Sequence, residues 1–135
     1  MSGEALRFGG ATVSRAELDR LVGGAARGLA AAGRIAVVAD SSIEAVVLIL
    51  AGLAAGCEVV LLNPKSGQAE RAHILADAAP ERVLTARDLS PPGPAPTDAA
   101  GGALVIYTSG TTGPPKGVVL EHAALVQNLA AVYEA

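Results

Sequence analysis

The sequence predicts an α/β fold, a mostly parallel sheet with helices on both faces. Ile35–Ala39 and Val59–Leu62 are continuous apolar runs, which are typical of strands covered on both sides. The segments between the predicted strands are long enough for crossover helices, the connections that join parallel strands. A glycine-rich loop follows the predicted strand Ala103–Tyr107, and ligand loops of such sheets lie at the carboxyl ends of strands.

The first helix has recognisable boundaries. Ser14 and the glutamate three residues later form a capping box, so the helix should begin at Arg15, and Gly33 is a suitable end. Gly23 and Gly24 weaken this helix by about 1 kcal/mol each relative to alanine. Close packing is one reason to keep glycine there, but the sequence does not show it.

The other predicted elements are apolar or periodic runs bounded by caps and breakers. Asp40, Ser41 or Ser42 caps a helix that runs to Ala55 before Gly56. The remaining elements are short strands at Leu6–Phe8, Arg82–Thr85 and Gly117–Leu120, a helix capped by Ser66 and running through Ala79, and a helix from about Ala123 onward.

Composition bounds the class of protein. The chain has 135 residues, enough for one domain with a core, and 51% of them are hydrophobic, which argues against disorder. The net charge of −3 argues against nucleic acid or an anionic membrane as partner. A single cysteine, Cys57, permits neither an internal disulfide nor a cysteine metal cluster; we expect a buried thiol there rather than a nucleophile, and we predict no metal ligand.

No membrane span or secretory signal is expected. Ala45–Cys57 is apolar but too short to cross a bilayer, and it is more typical of a buried helix. Charged residues near the amino terminus interrupt any signal-like apolar core. We therefore expect a cytoplasmic protein organised as an α/β segment at 1–89, a connector rich in proline and glycine at 90–101, and a strand–loop–strand–helix unit at 102–135.

The loop after the predicted strand Ala103–Tyr107 is suited to binding phosphate. Tyr107–Val118 has the sequence YTSGTTGPPKGV. Glycines let backbone N–H groups approach an anion, hydroxyls add donors, and Lys116 adds a compact positive charge. The loop differs from the P-loop, which needs Gly-Lys-Ser/Thr leading into a helix, and from the dinucleotide fingerprint. A P-loop hydrolase is therefore disfavoured, and nucleotide hydrolysis abolished by Lys116→Ala would revive it.

The same run resembles the signature of the adenylate-forming superfamily, which includes acyl-CoA synthetases, nonribosomal-peptide adenylation domains and luciferase-type enzymes. Every fixed position of that signature is matched. Leu53–Gly56 and Leu62–Pro64 also resemble the family's amino-terminal portion. The resemblance implies the large amino-terminal domain of that fold. Two departures are the short connection from Gly33 to Ile35 and the length, since family members have several hundred residues.

The resemblance implies a two-step ligase. A carboxylate attacks the α-phosphorus of ATP to give an acyl-adenylate and pyrophosphate, with Mg²⁺ as the metal of the nucleotide. A thiol of coenzyme A or a phosphopantetheine arm then takes the acyl group. The family's later nucleotide motifs and its carboxy-terminal catalytic lysine have no counterpart in these residues, so we expect a catalytically incomplete part of such a ligase, most similar to acyl-CoA synthetases.

By the same resemblance, the loop would bind the β- and γ-phosphates, and Lys116 would assist by offsetting charge on the departing pyrophosphate. The residues implied in phosphate binding are Thr108, Ser109, Gly110, Thr111, Thr112, Gly113 and Lys116. His122 has two interpretations that remain open, a residue near the acyl pocket or a histidine with only a local hydrogen bond at the start of a helix.

A second hypothesis belongs to another class. The chain would then be a stand-alone module that binds a nucleotide or a partner protein without catalysis, or one half of a split adenylating enzyme whose complementary chain supplies the missing part. An apolar final helix would serve as the interface. The acyl substrate, the thiol acceptor and the oligomeric state stay open at this point.

Overall fold

The apolar runs of the sequence form a parallel sheet in the computed structural model, which describes residues 4–8, 11–29, 32–94, 102–108 and 116–121. Within these residues the sheet has the strand order β5-β3-β4-β6-β7. Its strands are β3 (Arg34–Val38), β4 (Glu58–Leu62), β5 (Arg82–Leu84), β6 (Ala103–Thr108) and β7 (Lys116–Glu121).

The register confirms a mostly parallel sheet. β3 pairs in parallel with β4 and β5, and β4 pairs in parallel with β6. β7 is antiparallel to β6, because only the loop from Ser109 to Pro115 joins them, and antiparallel pairing needs no crossover. The carboxyl ends of β3, β4 and β6 therefore lie at one edge of the sheet.

The first helix begins where the sequence predicts but ends early. α1 spans Arg15–Arg27, and Ser14 Oγ accepts a hydrogen bond of 3.1 Å from the N–H of Glu17. The predicted end at Gly33 is wrong, since Gly28 is the carboxyl cap. A tight turn follows, in which Leu29 N–H donates to Ala26 O, and it directs the Leu29 side chain into the core at 3% exposure.

The amino-terminal strand lies in a separate hairpin. β1 (Glu4–Phe8) extends the predicted Leu6–Phe8 strand and pairs antiparallel with β2 (Ala11–Ser14), which the sequence analysis missed. Ser14 ends this hairpin and also caps α1, so one residue fixes the join between the two elements. In the described residues these two strands form their own two-stranded sheet.

The other two helices lie on opposite sides of the sheet. α2 (Ile43–Ala54) is capped by Ser42, whose Oγ accepts from Ala45 N–H, and Gly56, with φ of 83°, ends its last turn as predicted. α3 (Gln68–Ala78) is capped by Gly67 rather than the predicted Ser66, because Gly67 adopts the extended cap conformation and no side chain bonds the first turn.

Buried side chains alternate along the strands and form two core clusters, one on each face of the sheet. Helices pack against both clusters, which confirms the prediction of helices on both faces. Ile35, Val37 and Val59 pack in the cluster that contains buried residues of α1 and α2, whereas Ala36 and Val60 pack with Ile74 of α3. Successive strand residues point to opposite faces, so a strand buried on both sides must be apolar at every position. None of the described helices is long and apolar enough to cross a membrane.

Candidate functional site

The candidate site is the base of the loop between β6 and β7. Thr108 is the last residue of β6 and Lys116 the first residue of β7. The predicted phosphate-binding residues between them, Ser109, Gly110, Thr111, Thr112 and Gly113, lie outside the described residues, as does His122. The structure therefore places the two ends of the predicted site and leaves its middle as a prediction.

The backbone brings those two ends together. Thr108 and Lys116 are register partners, and they form the last pair of the β6–β7 ladder before the loop. A threonine and a lysine position thus face each other across the hairpin, although eight positions separate them in the sequence. The loop consequently leaves and re-enters the sheet at one point of its carboxyl edge, where anion-binding loops of such sheets occur.

The pair just below the loop base consists of an aromatic residue and a glycine. Tyr107 and Gly117 are register partners, and a Cβ built on Gly117 would lie 3.1 Å from Tyr107 Cζ. The tyrosine ring therefore occupies the space over Gly117. The Tyr107 hydroxyl donates a 2.6 Å hydrogen bond to Asp77 Oδ2 on α3.

This environment keeps the Tyr107 phenol protonated. Burial and the hydrogen bond to the Asp77 carboxylate raise the pKa of Tyr107 to about 12, against a smaller lowering effect of Arg34. The group is thus a hydrogen-bond donor throughout the physiological pH range. The sequence assigns no role to Asp77, because the tyrosine that it pairs with lies thirty positions further along the chain.

Neighbouring loops at the same edge are held by local hydrogen bonds. After β4, Asn63 Oδ1 accepts from Lys65 N–H at 2.9 Å, and Arg71 donates from Nη2 to Asn63 O at 3.1 Å. After β3, Ser42 Oγ donates to Asp40 Oδ1. The Lys65 side chain is exposed.

The single cysteine is structural. Cys57 is fully buried, and its single S–H is shared between two carbonyl acceptors, Leu29 O at 3.4 Å and Ala32 O at 3.3 Å from the sulfur. Burial, with a smaller contribution from Glu81, raises the pKa of the Cys57 thiol. A thiol held protonated in an apolar site is a poor nucleophile, in agreement with the sequence-based expectation.

No group of three or more His, Cys, Asp or Glu side chains in the described part of the chain could hold a metal ion. His73 lies on α3 and is half-buried. The described residues thus provide no metal centre, and the candidate site rests on the loop base alone.

The sequence matches the family described as AMP-binding enzyme over residues 2–99 and 88–135. Among curated proteins, CymA of Salinispora arenicola, a probable non-canonical nonribosomal peptide synthetase, is 37% identical over 106 residues, 73% of this chain and 1% of its own length. Tenellin synthetase of Beauveria bassiana is 33% identical over 136 aligned residues, 76% of this chain and 3% of its own length.

Solved structures show the same fold. A malonyl-CoA ligase, in a ternary product complex with methylmalonyl-CoA and AMP, is 42% identical with a TM-score of 0.85, and the match covers 98% of this chain and 32% of that one. ATP-bound MatB from Rhodopseudomonas palustris is 26% identical with a TM-score of 0.79, and the match covers 98% of this chain and 34% of that one. The 135 residues thus span about a third of these solved chains.

Proposed function

The chain belongs to the AMP-binding enzyme family, and from that premise we propose that it is the amino-terminal part of an ATP-dependent acyl-activating ligase. A carboxylate oxygen of the substrate forms a bond to the α-phosphorus of ATP as the bond to pyrophosphate breaks. The resulting acyl-adenylate then passes its acyl group to a thiol, and AMP leaves.

One observation carries this proposal: the hydroxyl- and glycine-rich loop begins and ends at a single point on the carboxyl edge of the sheet. The Thr108–Lys116 pair closes the loop at its base. The sequence between these two residues is rich in hydroxyls and glycines, and hydroxyls and backbone N–H groups are the donors that a polyphosphate requires.

We assign roles to the loop residues on that basis. Thr108, Ser109, Thr111 and Thr112 donate hydrogen bonds to the β- and γ-phosphate oxygens, and Gly110 and Gly113 let the backbone approach. Lys116 assists by offsetting charge on the departing pyrophosphate. His122 lies one residue after β7 and is our candidate for contact with the acyl group.

ATP is the cofactor of this proposal, and Mg²⁺ would arrive with its phosphates, so we assign no metal ligand to the described residues. Of the two classes among the relatives, we favour a coenzyme A ligase over a peptide-synthetase domain with a phosphopantetheine acceptor. The malonyl-CoA ligase is 42% identical to this chain, whereas CymA is 37% identical.

We infer that the 135 residues are catalytically incomplete by themselves. They correspond to about a third of the solved ligase chains, so the rest of the nucleotide pocket and the groups that contact the acyl carboxylate would come from other parts of the enzyme. A complementary chain is one candidate source of those parts. A cytoplasmic location is consistent with this chemistry, since ATP and coenzyme A are available there.

Isothermal titration calorimetry with ATP tests the phosphate site. We expect the chain to bind ATP weakly and Lys116→Ala to weaken that binding by about tenfold, the effect of losing one charge-assisted contact. Lys65→Ala is the matched control, because Lys65 is an exposed lysine of another loop. Equal losses in both variants would show a nonspecific charge effect and contradict the assignment of Lys116.

A further inference from the structure

One side chain joins α3 to the hairpin that carries the phosphate loop. Tyr107 lies near the carboxyl end of β6, and its hydroxyl donates to Asp77 Oδ2 at 2.6 Å. Asp77 is in the last turn of α3, next to Ala78, which is buried against the sheet. The hydrogen bond therefore links the strand to a helix that the core already holds in place.

The ring of the same tyrosine contacts the other strand of the hairpin. A Cβ on Gly117 would lie 3.1 Å from Cζ and 3.4 Å from both Cε1 and the hydroxyl oxygen of Tyr107. Contacts of 3.0–3.4 Å are tighter than nine in ten contacts of real Cβ atoms, so the absence of a side chain at Gly117 lets the ring lie close to β7. Tyr107 thus contacts β7 with its ring and α3 with its hydroxyl.

The next pair along the ladder is Thr108 and Lys116, the base of the loop. We propose that Tyr107, held by Asp77, is a positioning residue that fixes the two ends of the phosphate loop for binding polyphosphate. This inference rests on the proposed function, because it assigns to that loop the chemistry of a phosphate site.

Tyr107 itself has no proton-transfer role in this arrangement. Its pKa of about 12 keeps the hydroxyl protonated, and both the burial and the Asp77 carboxylate favour that state. The hydrogen bond is consequently present wherever an ATP-dependent enzyme works. Its effect on binding should come from geometry, and a variant that keeps a hydrogen-bond acceptor at position 77 should retain it.

The test uses four single variants and one double variant of the full 135-residue chain. Tyr107→Phe removes the hydroxyl and keeps the ring, Asp77→Ala removes the acceptor, and Asp77→Asn keeps an acceptor oxygen without the charge. Glu70→Ala is the matched control, since it removes an exposed carboxylate from the same helix, two turns away. The ligand is inorganic tripolyphosphate, and binding is measured well below the unfolding temperature of every variant.

We expect Tyr107→Phe and Asp77→Ala each to weaken tripolyphosphate binding by about fivefold, the effect of one hydrogen bond. Their double variant should lose no more than either single variant, because both remove one interaction. Asp77→Asn should recover most of the affinity and Glu70→Ala should keep all of it. Unchanged affinity in Tyr107→Phe, with only a lower unfolding temperature, would overturn the positioning role.

Amide hydrogen exchange of the unliganded chain separates this inference from the proposed function. We expect faster exchange at Lys116 and Gly117 in Tyr107→Phe than in Glu70→Ala, since the hairpin end loses its link to α3. If the unsubstituted chain does not bind tripolyphosphate, the proposed phosphate site fails. In that case, hydrogen exchange alone tests whether the Tyr107–Asp77 bond holds the end of the hairpin. Faster exchange at these two amides supports that link, and unchanged exchange overturns it.

Discussion

Tyr107 shows how a single residue acquires a role that its type does not reveal. In the sequence it is the last apolar position of a strand and the first residue of a glycine-rich signature. In the structure its hydroxyl donates to Asp77, thirty positions earlier in the chain, at 2.6 Å, and its ring lies where a Gly117 side chain would begin. Because burial and the Asp77 carboxylate raise the pKa of the phenol, a titration of Tyr107 in solution can detect this pairing.

We predict that Tyr107 titrates near pH 12 in the folded chain. Because the folded pKa is raised above the unfolded value of 10.0, the stabilisation from this group is fully present below pH 10 and is lost as the pH rises through about 12. Absorbance at 295 nm in a Tyr133→Phe background isolates Tyr107, since the chain has 2 tyrosines.

Asp77→Asn in the same background should lower the midpoint of this titration, because a neutral acceptor no longer opposes phenolate formation. Glu70→Asn leaves it unchanged, since Glu70 lies two turns away on α3. A midpoint near 10 in the unsubstituted chain would contradict the burial and pairing of the phenol.

Cys57 gives a second prediction for a single residue. We expect its thiol to react with a disulfide reagent at least about a hundredfold more slowly in the folded chain than in denaturant, because it is fully buried and its pKa is raised. Time-resolved absorbance with and without guanidinium measures both rates. Rapid labelling of the folded chain would show that the contacts of the thiol with Leu29 O and Ala32 O open readily.

At the level of elements, glycines set how closely helices and strands approach. Gly52 of α2 faces the sheet, where a Cβ would lie 2.6 Å from Val59 Cγ2. Gly24 of α1 faces the start of the connector, where a Cβ would lie 2.0 Å from Pro91 O, and Gly93 N–H donates to Arg20 O in the same helix. Glycine at position 24 lowers the helix propensity of α1, but it allows the connector to pack against the helix.

Gly102, directly before β6, gives the sharpest prediction of this kind. A Cβ there would lie 2.7 Å from Cys57 O and from Cα and O of Leu53, all backbone atoms that cannot move aside alone. We expect Gly102→Ala to destabilise the fold by about 3 kcal/mol, the upper range for overpacking, as measured by urea unfolding.

Gly28→Ala is the matched control for that measurement. Its Cβ would meet only Ala25 O at 3.7 Å, and Gly28 has right-handed helical angles that alanine adopts easily. We expect the free energy of unfolding of Gly28→Ala to stay the same or to rise by up to about 1 kcal/mol. Equal effects of the two substitutions would show that β6 is not held against α2 at Gly102.

At the level of the whole molecule, the sheet presents one carboxyl edge to which β3, β4 and β6 contribute. The loops after β3 and β4 are fixed by their own hydrogen bonds, and the loop after β6 is closed by the β6–β7 hairpin. With a net charge of −3, the overall charge of the chain does not attract anions, so the proposed phosphate site depends on local donors at this edge.

We predict no ATP–pyrophosphate exchange by the 135 residues alone, with any carboxylic acid. They span about a third of the solved ligase chains, and a phosphate loop without the remaining contacts positions only one end of ATP. Radiolabelled pyrophosphate incorporation into ATP measures this. Exchange above background that disappears in Lys116→Ala would show that this prediction is wrong.

The sequence by itself determined the order and type of most elements and the position of the loop. Continuous apolar runs such as Val59–Leu62 must be buried on both faces, and Ser14 and Ser42 satisfy helix N–H groups through local contacts. Those signals act between near neighbours in the chain, so they are visible in the sequence. The YTSGTTGPPKGV motif is also contiguous, which is why the family was recognisable.

Only the tertiary structure decided the early end of α1 at Arg27, the second strand of the amino-terminal hairpin, the capping of α3 by Gly67 and the Asp77–Tyr107 link. Each depends on what a segment meets elsewhere in the fold or on a backbone conformation that its residue type leaves open. Leu29 lies outside α1, and its side chain is buried in the core. Asp77 contacts Tyr107 because β6 packs beside α3. Such contacts join residues far apart in the chain, and no local pattern of residue types encodes them.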